Sequence, residues 1–440
     1  MNKSDRSLAG VILGIFAVSL ISLSWSLSWP AGAEAATKRV VKGRVGRAGA
    51  SSATASGAAK NPYVIRTASD LAAFARAVNN GNSYAGKHVK LAGDIDLSGT
   101  AWTPIGTSGS GGTKAFMGTF DGAGYTIWNL RAGGAARSSV GLFGALEGAT
   151  VVRLSLQSIE VTGETNVGGI AGFMKKSLLK DCSVSGTVSG VSSVGGIAGS
   201  ALSGGLENCS FSGTVKGRDA ATGGLVGTMD QAAVRAAFLN GATVEGRGDV
   251  GGIVGGILSG SIIYCRAEGV TIRGEQNVGG LAGNILDGGD VVRTVFKGQV
   301  IGEVSVGGAV GRMMDGTLSQ CDIEGSVQGK LNAGGIAGEF AGGQMETCKS
   351  SASIYGGINV GGLAGYVYGG NLNRSVNSGT IKGGEAVGGL VGNLDRGTLS
   401  GGENTGSVIG YMHNSSGGVV GVRGPGSLSE AGNVGQVIRR

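Results

Sequence analysis

The chain has 440 residues, of which 92 are glycine and only 4 are proline, and its formal net charge is +7. Because the glycines follow no three-residue period, collagen is excluded, and 41% apolar with 15% charged residues excludes a disordered chain. Six basic residues and no acidic one fall within residues 36–60, and Arg439 and Arg440 add two more charges at the end. The rest of the chain is therefore close to neutral, which argues against a nucleic-acid-binding surface on its folded part.

The first 35 residues have the pattern of a signal peptide. Lys3 and Arg6 precede an apolar run over residues 8–23, and a small-residue cleavage site follows at residues 33–35. The mature chain is therefore predicted to be exported, to the cell surface or the extracellular medium or to the periplasm. An uncleaved membrane anchor is the alternative, because the segment stays fairly apolar beyond residue 23.

Residues 36–60 form a basic leader rich in Gly, Ala and Ser, which we interpret as a solvated tether or as one that contacts anionic envelope polymers. Residues 61–139 are predicted to form an N-terminal cap and the first coils. Thr67 and Asp70 have the spacing of a capping box, and the helix predicted after them is expected to cover the N-terminal end of the fold. The apolar face of this helix consists of Leu71, Phe74, Ala75 and Val78.

From residue 140 to residue 440 the chain repeats a GG-aliphatic-x-G signature every 27–29 residues. The aligned copies give three apolar columns, beginning at Ile170, Leu179 and Val188, which predict three inward-facing strands per turn. One coil cannot bury such residues, whereas stacked coils form a continuous core. The pattern predicts a parallel β-helix of ten or eleven coils, with glycine at the corners because glycine adopts positive φ freely and lets the chain turn without a Cβ clash. The first glycines of the pairs are Gly168, Gly195, Gly223, Gly251, Gly279, Gly307, Gly334, Gly361, Gly388 and Gly417.

Another column of the repeat contains only small residues, among them all five cysteines. A free cysteine is a good small buried hydrophobe. Disulfides are the alternative in an exported chain, but in-register neighbours have Cβ atoms one coil apart, somewhat beyond the separation of about 3.5–4.5 Å that a disulfide prefers. We therefore predict free stacked thiols at Cys182, Cys209, Cys265, Cys321 and Cys348.

The repeat resembles the GLUG motif. The segments GTFDGAGYTIWNL and VGLFG resemble the region before such repeats in bacterial surface and secreted proteins, including the N-terminal regions of IgA-specific metallo-endopeptidases. This resemblance covers about residues 61–421 and implies a right-handed β-helix with a pectin-lyase-like winding in an adhesin-like protein. It does not imply a peptidase, because the zinc-binding HExxH motif is absent. The two histidines, His88 and His413, stand alone and are predicted to be surface residues.

A β-helix can also carry a polysaccharide lyase or hydrolase, which needs acidic residues that converge with Arg or Lys on one outer face. The acidic residues of the repeats change position from copy to copy, and the only tight group is Asp94 and Asp96, with Asp121 expected nearby. We interpret these carboxylates as acceptors for turn amides. A calcium site is the alternative.

The outward-facing positions include one Ser or Thr per coil. A regular threonine face can bind ice or sugars, whereas polar residues outside a strand are also the default. Exposed aromatic residues that could stack on sugars are scarce, because Trp102 and Trp128 fall in the cap region and the repeats contain no Trp. The predicted row consists of Thr187, Thr214, Thr243, Thr271, Ser326, Ser353, Thr380 and Ser407, and Gln299 interrupts it.

These features together predict an exported, non-catalytic β-helix that acts as a surface binding or spacer module. Its expected partner is a polymeric or cell-surface ligand, either carbohydrate or protein, and no cofactor or metal is expected. Nucleic acid is not expected as a partner, and a membrane is expected only through an uncleaved signal segment. The alternatives are a carbohydrate-active enzyme and a fragment or paralogue of a larger adhesin.

Overall fold

A computed structural model describes residues 55–108, 113–134, 137–412 and 415–439. Of these residues 62% are in strands and 3% in helix, and they wind as a right-handed parallel β-solenoid of about 13 turns. The predicted all-β class and β-helical architecture are confirmed. The number of turns exceeds the predicted ten or eleven because coils without the GG signature precede the repeats. In these coils Tyr63–Ile65 pairs with His88–Leu91, which pairs in turn with Thr119–Asp121.

The one helix among the described residues, α1, spans Ala68–Asn79. The Thr67 side chain accepts a hydrogen bond from the Asp70 amide, and the Asp70 carboxylate accepts one from the Thr67 amide, so the predicted capping box is confirmed. The buried face of α1 packs on aromatic residues of the first coils. The ring centroid of Phe74 lies 5.5 Å from that of Phe116 and 6.0 Å from that of Phe120. The predicted helix therefore adds its apolar stripe to the core at the N-terminal end.

Twenty-two strands form the first sheet, in which each strand pairs in parallel with the equivalent strand of the next coil. The strands of the first sheet are Tyr63–Ile65, His88–Leu91, Thr119–Asp121, Phe143–Glu147, Thr150–Val152, Ala171–Lys180, Ala198–Glu207, Val226–Arg235, Val254–Ile257, Gly260–Ile263, Ala282–Ile285, Gly289–Val292, Val310–Met313, Gly316–Ser319, Ala337–Phe340, Gln344–Glu346, Ala364–Val367, Asn371–Asn373, Val391–Leu394, Thr398–Ser400, Val420–Arg423 and Ser427–Ser429.

The remaining strands form a second parallel network, which we call the second sheet. Its strands are Ile95–Asp96, Ala101–Trp102, Thr126–Trp128, Arg131–Gly133, Ser155–Thr162, Thr165–Gly168, Ser183–Gly190, Ser192–Gly195, Ser210–Gly217, Ala220–Gly223, Phe238–Asn240, Thr243–Glu245, Gly248–Gly251, Arg266–Arg273, Gln276–Gly279, Val295–Ile301, Val304–Gly307, Asp322–Gly334, Lys349–Ser350, Ser353–Gly361, Val376–Asn377, Ile381–Gly388, Glu403–Asn404, Val408–Gly410, Ser416–Gly417, Gly432–Asn433 and Val437–Arg439.

The core is a set of in-register columns that run through the coils. Two of the three predicted columns, those beginning at Leu179 and Val188, lie in strands and are buried. The column beginning at Ile170 is also buried, but it occupies the turn after the GG pair, so the prediction of a third strand there is wrong. The sequence alignment missed further inward columns, which pass through Leu156, Val167 and Met174.

The GG glycines avoid a Cβ clash, as predicted, but they do not supply positive φ. Gly251 is not among the residues with positive φ, and a Cβ on it would lie 2.0 Å from the Val254 carbonyl oxygen and 2.7 Å from the Gly283 nitrogen of the next coil. The first glycine of every other pair meets the same carbonyl of its own coil at 1.9–2.4 Å. These positions therefore require glycine because two backbone segments approach closely, and not because the corner needs an unusual φ.

Glycines such as Gly316 and Gly325 do adopt positive φ at other corners, but the corner just before the GG pair is occupied by Asn, Ser, Asp or Ala. Asn277, Asn332 and Asn359 have φ values of 50°, 56° and 55° at one such corner. Asparagine tolerates this left-handed region better than most residues with a side chain. Its amide also stacks between coils, since Asn359 Nδ2 donates to Asn332 Oδ1 at 2.8 Å. The expectation that glycine supplies the corners is therefore wrong at these positions.

One inward column changes from apolar to polar along the solenoid. Phe296 and Ile323 are followed, one coil at a time, by Asn377, Asn404 and Asn433 after an intervening serine. Asn377 Nδ2 donates to Asn404 Oδ1 at 2.7 Å, and Asn404 Nδ2 donates to Asn433 Oδ1 at 2.6 Å. Each amide also bonds the backbone two residues further along. This asparagine ladder satisfies its own polar groups inside the core of the C-terminal coils.

Candidate functional site

The predicted row of Ser and Thr is in register along the outside of the second sheet. Thr187 pairs with Thr214, and the pairing continues through Thr243 and Thr271 to Gln299 and the following serines. Most of these side chains are half-buried, and Thr187 is exposed. With coils about 4.8 Å apart, the row presents one hydroxyl group per coil on a nearly straight line. We call it the hydroxyl row.

At the N-terminal end of the hydroxyl row lies a shallow groove. It consists of two adjoining depressions of about 600 and 490 Å³, which share Gly99, Arg131 and Glu160. Glu160 pairs with Thr187 across the coils, so the groove opens directly onto the row. Its other polar lining residues include Ser98, Asn129, Ser158 and Thr162. The groove and the row therefore form one continuous polar strip.

The charges of the groove are paired but accessible. Arg131 Nε lies 3.6 Å from Glu160 Oε2, and their side chains are 72% and 63% exposed. Such an open pair contributes little to stability, so both groups can exchange this contact for a ligand. Hydrogen bonds from the Asn129 side chain and from Ser98 lower the pKa of Asp96, which keeps this carboxylate charged beside the groove. The local charge, with two carboxylates and one guanidinium, disfavours polyanions.

The three candidate calcium ligands have other partners. Asp94 Oδ1 accepts the Thr126 amide at 2.8 Å, and Asp96 Oδ1 accepts the Ser98 amide at 2.9 Å. Asp121 accepts the Ala123 amide and forms an ion pair with Arg153 at 2.6 Å. No group of three or more His, Cys, Asp or Glu residues in the described part of the chain could hold a metal ion. The hydrogen bonds account for these carboxylates as acceptors in the cap, and the calcium role has no support from their geometry.

Acidic residues elsewhere are engaged mainly between coils. Lys180 Nζ lies 2.5 Å from Glu207 Oε1 one coil away, and this contact raises the pKa of Lys180. These pairs account for part of the change in position of acidic residues from copy to copy, since the acidic residue of each pair lies beside a basic partner on a neighbouring coil. The pairs between coils are Arg131–Glu160, Arg153–Asp121, Lys175–Glu147, Lys180–Glu207, Lys216–Glu245, Arg247–Glu275, Lys297–Glu324, Arg312–Glu339, Lys330–Glu303 and Arg374–Glu346.

The five cysteines are free and buried in one column. Each thiol donates to the carbonyl two residues earlier and to a carbonyl of the preceding coil; Cys265 Sγ lies 3.4 Å from both the Ile263 and the Val234 oxygens. Thr294 and Ser375 occupy the same column and donate to the same local carbonyl at 3.0 Å. Seven of the nine residues of this column are therefore small hydrogen-bond donors, which the sequence alone did not reveal, and Ala237 and Gly402 are the exceptions. Burial raises the pKa of Cys265 to about 12.

The histidines and tryptophans differ in their surroundings. His88 is half-buried in its strand, so it is less exposed than predicted, and His413 lies outside the described residues. Trp102 is buried, and its Nε1 donates to the Leu142 carbonyl at 3.0 Å while the residue lines the groove. Trp128 is 37% exposed and pairs with Asp96, which places it beside the groove.

An aromatic patch lies on the first sheet and was missed by the sequence analysis. The rings of Tyr366 and Tyr368 have centroids 6.4 Å apart, and the Arg396 guanidinium lies 5.1 Å from the centre of Tyr368. Tyr366 Oη donates to Asp395 Oδ2 at 3.2 Å, and burial together with this carboxylate raises the pKa of Tyr366. The sequence signal is the YVY triplet, whose two tyrosines point to the same side of a strand.

Comparison with known proteins identifies one repeat by family. Residues 190–216 match the family model described as the GLUG motif. The chain carries the GLUG motif. The resemblance drawn from the sequence is thereby confirmed, and the same GG signature recurs in the coils on both sides of this match. No helix of the described GLUG coils or of the cap is long and apolar enough to cross a membrane, and the predicted signal segment lies outside the described residues.

Halomucin from Haloquadratum walsbyi is 33% identical to the chain over 145 residues, which are 31% of the chain and 2% of halomucin. The chain thus spans a very small part of that protein. A candidate immunoglobulin A1 protease from Bacteroides ovatus aligns over 85% of this chain and 86% of its own, at 16% identity and a TM-score of 0.33. The A-module of a mannuronan C-5 epimerase from Azotobacter vinelandii aligns over 84% and 93% at 9% identity, with a TM-score of 0.27. Neither likeness is close enough to support an argument about activity.

Proposed function

We propose that the protein is an exported, non-catalytic GLUG-repeat module that binds a polymeric or cell-surface ligand along the outside of the second sheet. The observation that carries the proposal is the polar strip, in which the hydroxyl row leads into the groove at Arg131 and Glu160. A row of equivalent hydroxyls suits a linear polymer whose own polar groups repeat. Individually weak contacts along such a row add through their high effective concentration.

Carbohydrate is the ligand class that this strip fits best. Its hydroxyls, the Asn129 amide and the Arg131–Glu160 pair provide both donors and acceptors, as a sugar diol requires. The exposed Trp128 beside the groove adds an apolar ring face. Absence of turnover is part of the proposal, because the Asp94 and Asp96 carboxylates are held by backbone amides and by the Asn129 side chain.

The test is a co-sedimentation assay with insoluble neutral and acidic polysaccharides, combined with measurement of new reducing ends and unsaturated uronates. Replacing both Thr214 and Thr243 with Val keeps the side-chain shape and removes two hydroxyls from the row, so we expect binding to weaken by about tenfold. The matched control replaces Thr317 and Thr398, two half-buried threonines of the first sheet, with Val and should leave binding unchanged.

Equal loss of binding in both double variants would contradict the assignment of the row. Calcium-dependent release of unsaturated products by the wild type would contradict the non-catalytic part and favour the carbohydrate-active alternative. Export is tested separately, by comparing the N-terminal residue of the protein recovered outside the cytoplasm with the predicted cleavage at residue 35.

A further inference from the structure

A ladder of exposed apolar side chains follows one corner of the first sheet. Leu258, Leu286, Met314 and Tyr368 are 47%, 39%, 42% and 45% exposed. They occupy equivalent positions in their coils. The backbone amide of each residue donates to a carbonyl of the preceding coil, namely that of the residue just before its counterpart there. Large apolar side chains in a continuous surface row are uncommon unless the row contacts something. We call this row the apolar ladder.

The apolar ladder lacks one rung. The coil between Met314 and Tyr368 carries Ala341 at the equivalent position, where its amide donates to the Met313 carbonyl at 2.8 Å. The adjoining residues of this coil and the next, Gly342 and Gly369, also lack side chains. A gap therefore opens between Met314 and Tyr368, and Ala341 forms its floor.

The size of the gap suits one ring. Two coil spacings put Met314 and Tyr368 about 9.6 Å apart along the solenoid. A ring in van der Waals contact with both neighbours needs about 3.5–4.0 Å on each side, or roughly 7–8 Å in total. One layer fits and two do not. Arg396 belongs to the following coil and lies over Tyr368 at 5.1 Å, so the face of Tyr368 towards Ala341 remains available.

A polar row runs beside the gap on the same face of the sheet. Arg312, Glu339 and Tyr366 stand two residues before the successive rungs, and their strands pair in register. Arg312 Nε lies 3.1 Å from Glu339 Oε1, and Glu339 Oε2 accepts a hydrogen bond from Ser305 Oγ at 3.0 Å. These contacts leave the two terminal nitrogens of Arg312 and the second lone pair of each Glu339 oxygen for a ligand. A ring in the gap would thus have apolar faces above and below and charged donors and acceptors along one edge.

We propose that the gap at Ala341 binds one neutral pyranose ring, which stacks between Met314 and Tyr368 and hydrogen-bonds to Arg312 and Glu339. A sugar ring combines apolar faces with an edge of hydroxyls, which is the combination that the gap offers. A carboxylated sugar is disfavoured, because Glu339 is beside the gap and Asp315 follows Met314 directly. This site lies on the first sheet and does not depend on the hydroxyl row.

The experiment measures saturation transfer and chemical-shift changes by NMR with three soluble probes: maltohexaose, cellohexaose and mannohexaose. Replacing Ala341 with Leu fills the gap with a residue that Leu258 and Leu286 already place in this column, so the fold should be unaffected. We expect A341L and Y368A to weaken binding of the best probe by at least about tenfold. The matched control is Y264A, since Tyr264 is 56% exposed and also has a guanidinium over its ring, at 5.6 Å, on a different corner.

Three results would overturn the proposal. The first is no transfer to the wild type from any of the three hexaoses at millimolar concentration. The second is unchanged binding by A341L, or equal losses in Y368A and Y264A. The third is that the wild type dimerises in a concentration-dependent manner and A341L does not. In that case the apolar ladder would be the contact surface for a second copy of the chain. The double Val variant of the hydroxyl row should bind the short probes as the wild type does, so failure of either site is recognised separately.

Discussion

Removing the middle amide of the asparagine ladder should open the C-terminal coils. An Asn404→Ala variant loses three hydrogen bonds of the Asn404 side chain. They join it to Asn377 Nδ2 at 2.7 Å, to Asn433 Oδ1 at 2.6 Å and to the Gly406 carbonyl at 3.0 Å. Buried polar groups left without a partner cost about 1–3 kcal/mol each, but Asn377 keeps a bond to Gly379 and Asn433 is half-exposed. We therefore expect a loss of about 3 kcal/mol in the free energy of opening these coils.

Native-state hydrogen exchange, followed by mass spectrometry on peptides from residues 376–439, measures this loss directly. A loss of about 3 kcal/mol corresponds to exchange that is roughly 100-fold faster. Replacing Asn377, Asn404 and Asn433 together with Val removes the contacts between the side chains as a set, but it leaves the backbone groups that they bond, at Gly379, Gly406 and Gly435, without these partners, so it should restore only part of the protection. Asn373→Ala, on the outer face of a neighbouring strand, is the control and should change protection little. If Asn404→Ala costs less than about 1 kcal/mol, the ladder is not what stabilises these coils.

Three further outcomes are expected. Gly251→Ala should lower the free energy of unfolding by about 3 kcal/mol or more, whereas Gly248→Ala, where a Cβ meets nothing within 4 Å, should be nearly neutral in the same urea titration. Burial raises the pKa of Cys265 from 9.0 to about 12, so the contribution of this thiol to stability is complete below pH 9 and is lost as the pH rises towards 12. In thermal melting, the melting temperature should therefore fall more steeply over this pH range for the wild type than for Cys265→Ala. Phe74→Asp should cause aggregation, measured by light scattering, while Arg76→Asp on the exposed face of α1 should remain monomeric.

The sequence predicts the solenoid well because its fold is repeated locally. Residues 27–29 positions apart do the same task, so the columns at Leu179 and Val188 align without any knowledge of the structure. The capping box of α1 is equally local, since Thr67 and Asp70 are three residues apart. The number of turns is underestimated because the first coils bury aromatic residues such as Phe116 and Phe120 and lack the GG signature.

Features that depend on contacts between coils are harder to obtain from the sequence. The signature shows that Gly251 recurs, but only the structure shows that the Val254 carbonyl, and not an unusual φ, excludes a side chain there. The asparagines of the core ladder look like ordinary turn residues in the sequence, because each precedes a glycine by two positions. The hydroxyl row was visible in the alignment. The groove at its end was not, since Gly99 and Glu160 are far apart in the chain.

The close contact between each GG glycine and the carbonyl three residues later is made within a single coil, and it is the same in every copy. A coil that is removed or duplicated as a unit therefore includes its own tight turn. The coils on either side of the change still pack in register, because their core columns have equivalent residues. The number of coils can change without a new turn or a new core, in steps of about 4.8 Å. Length is thus an adjustable property of this architecture.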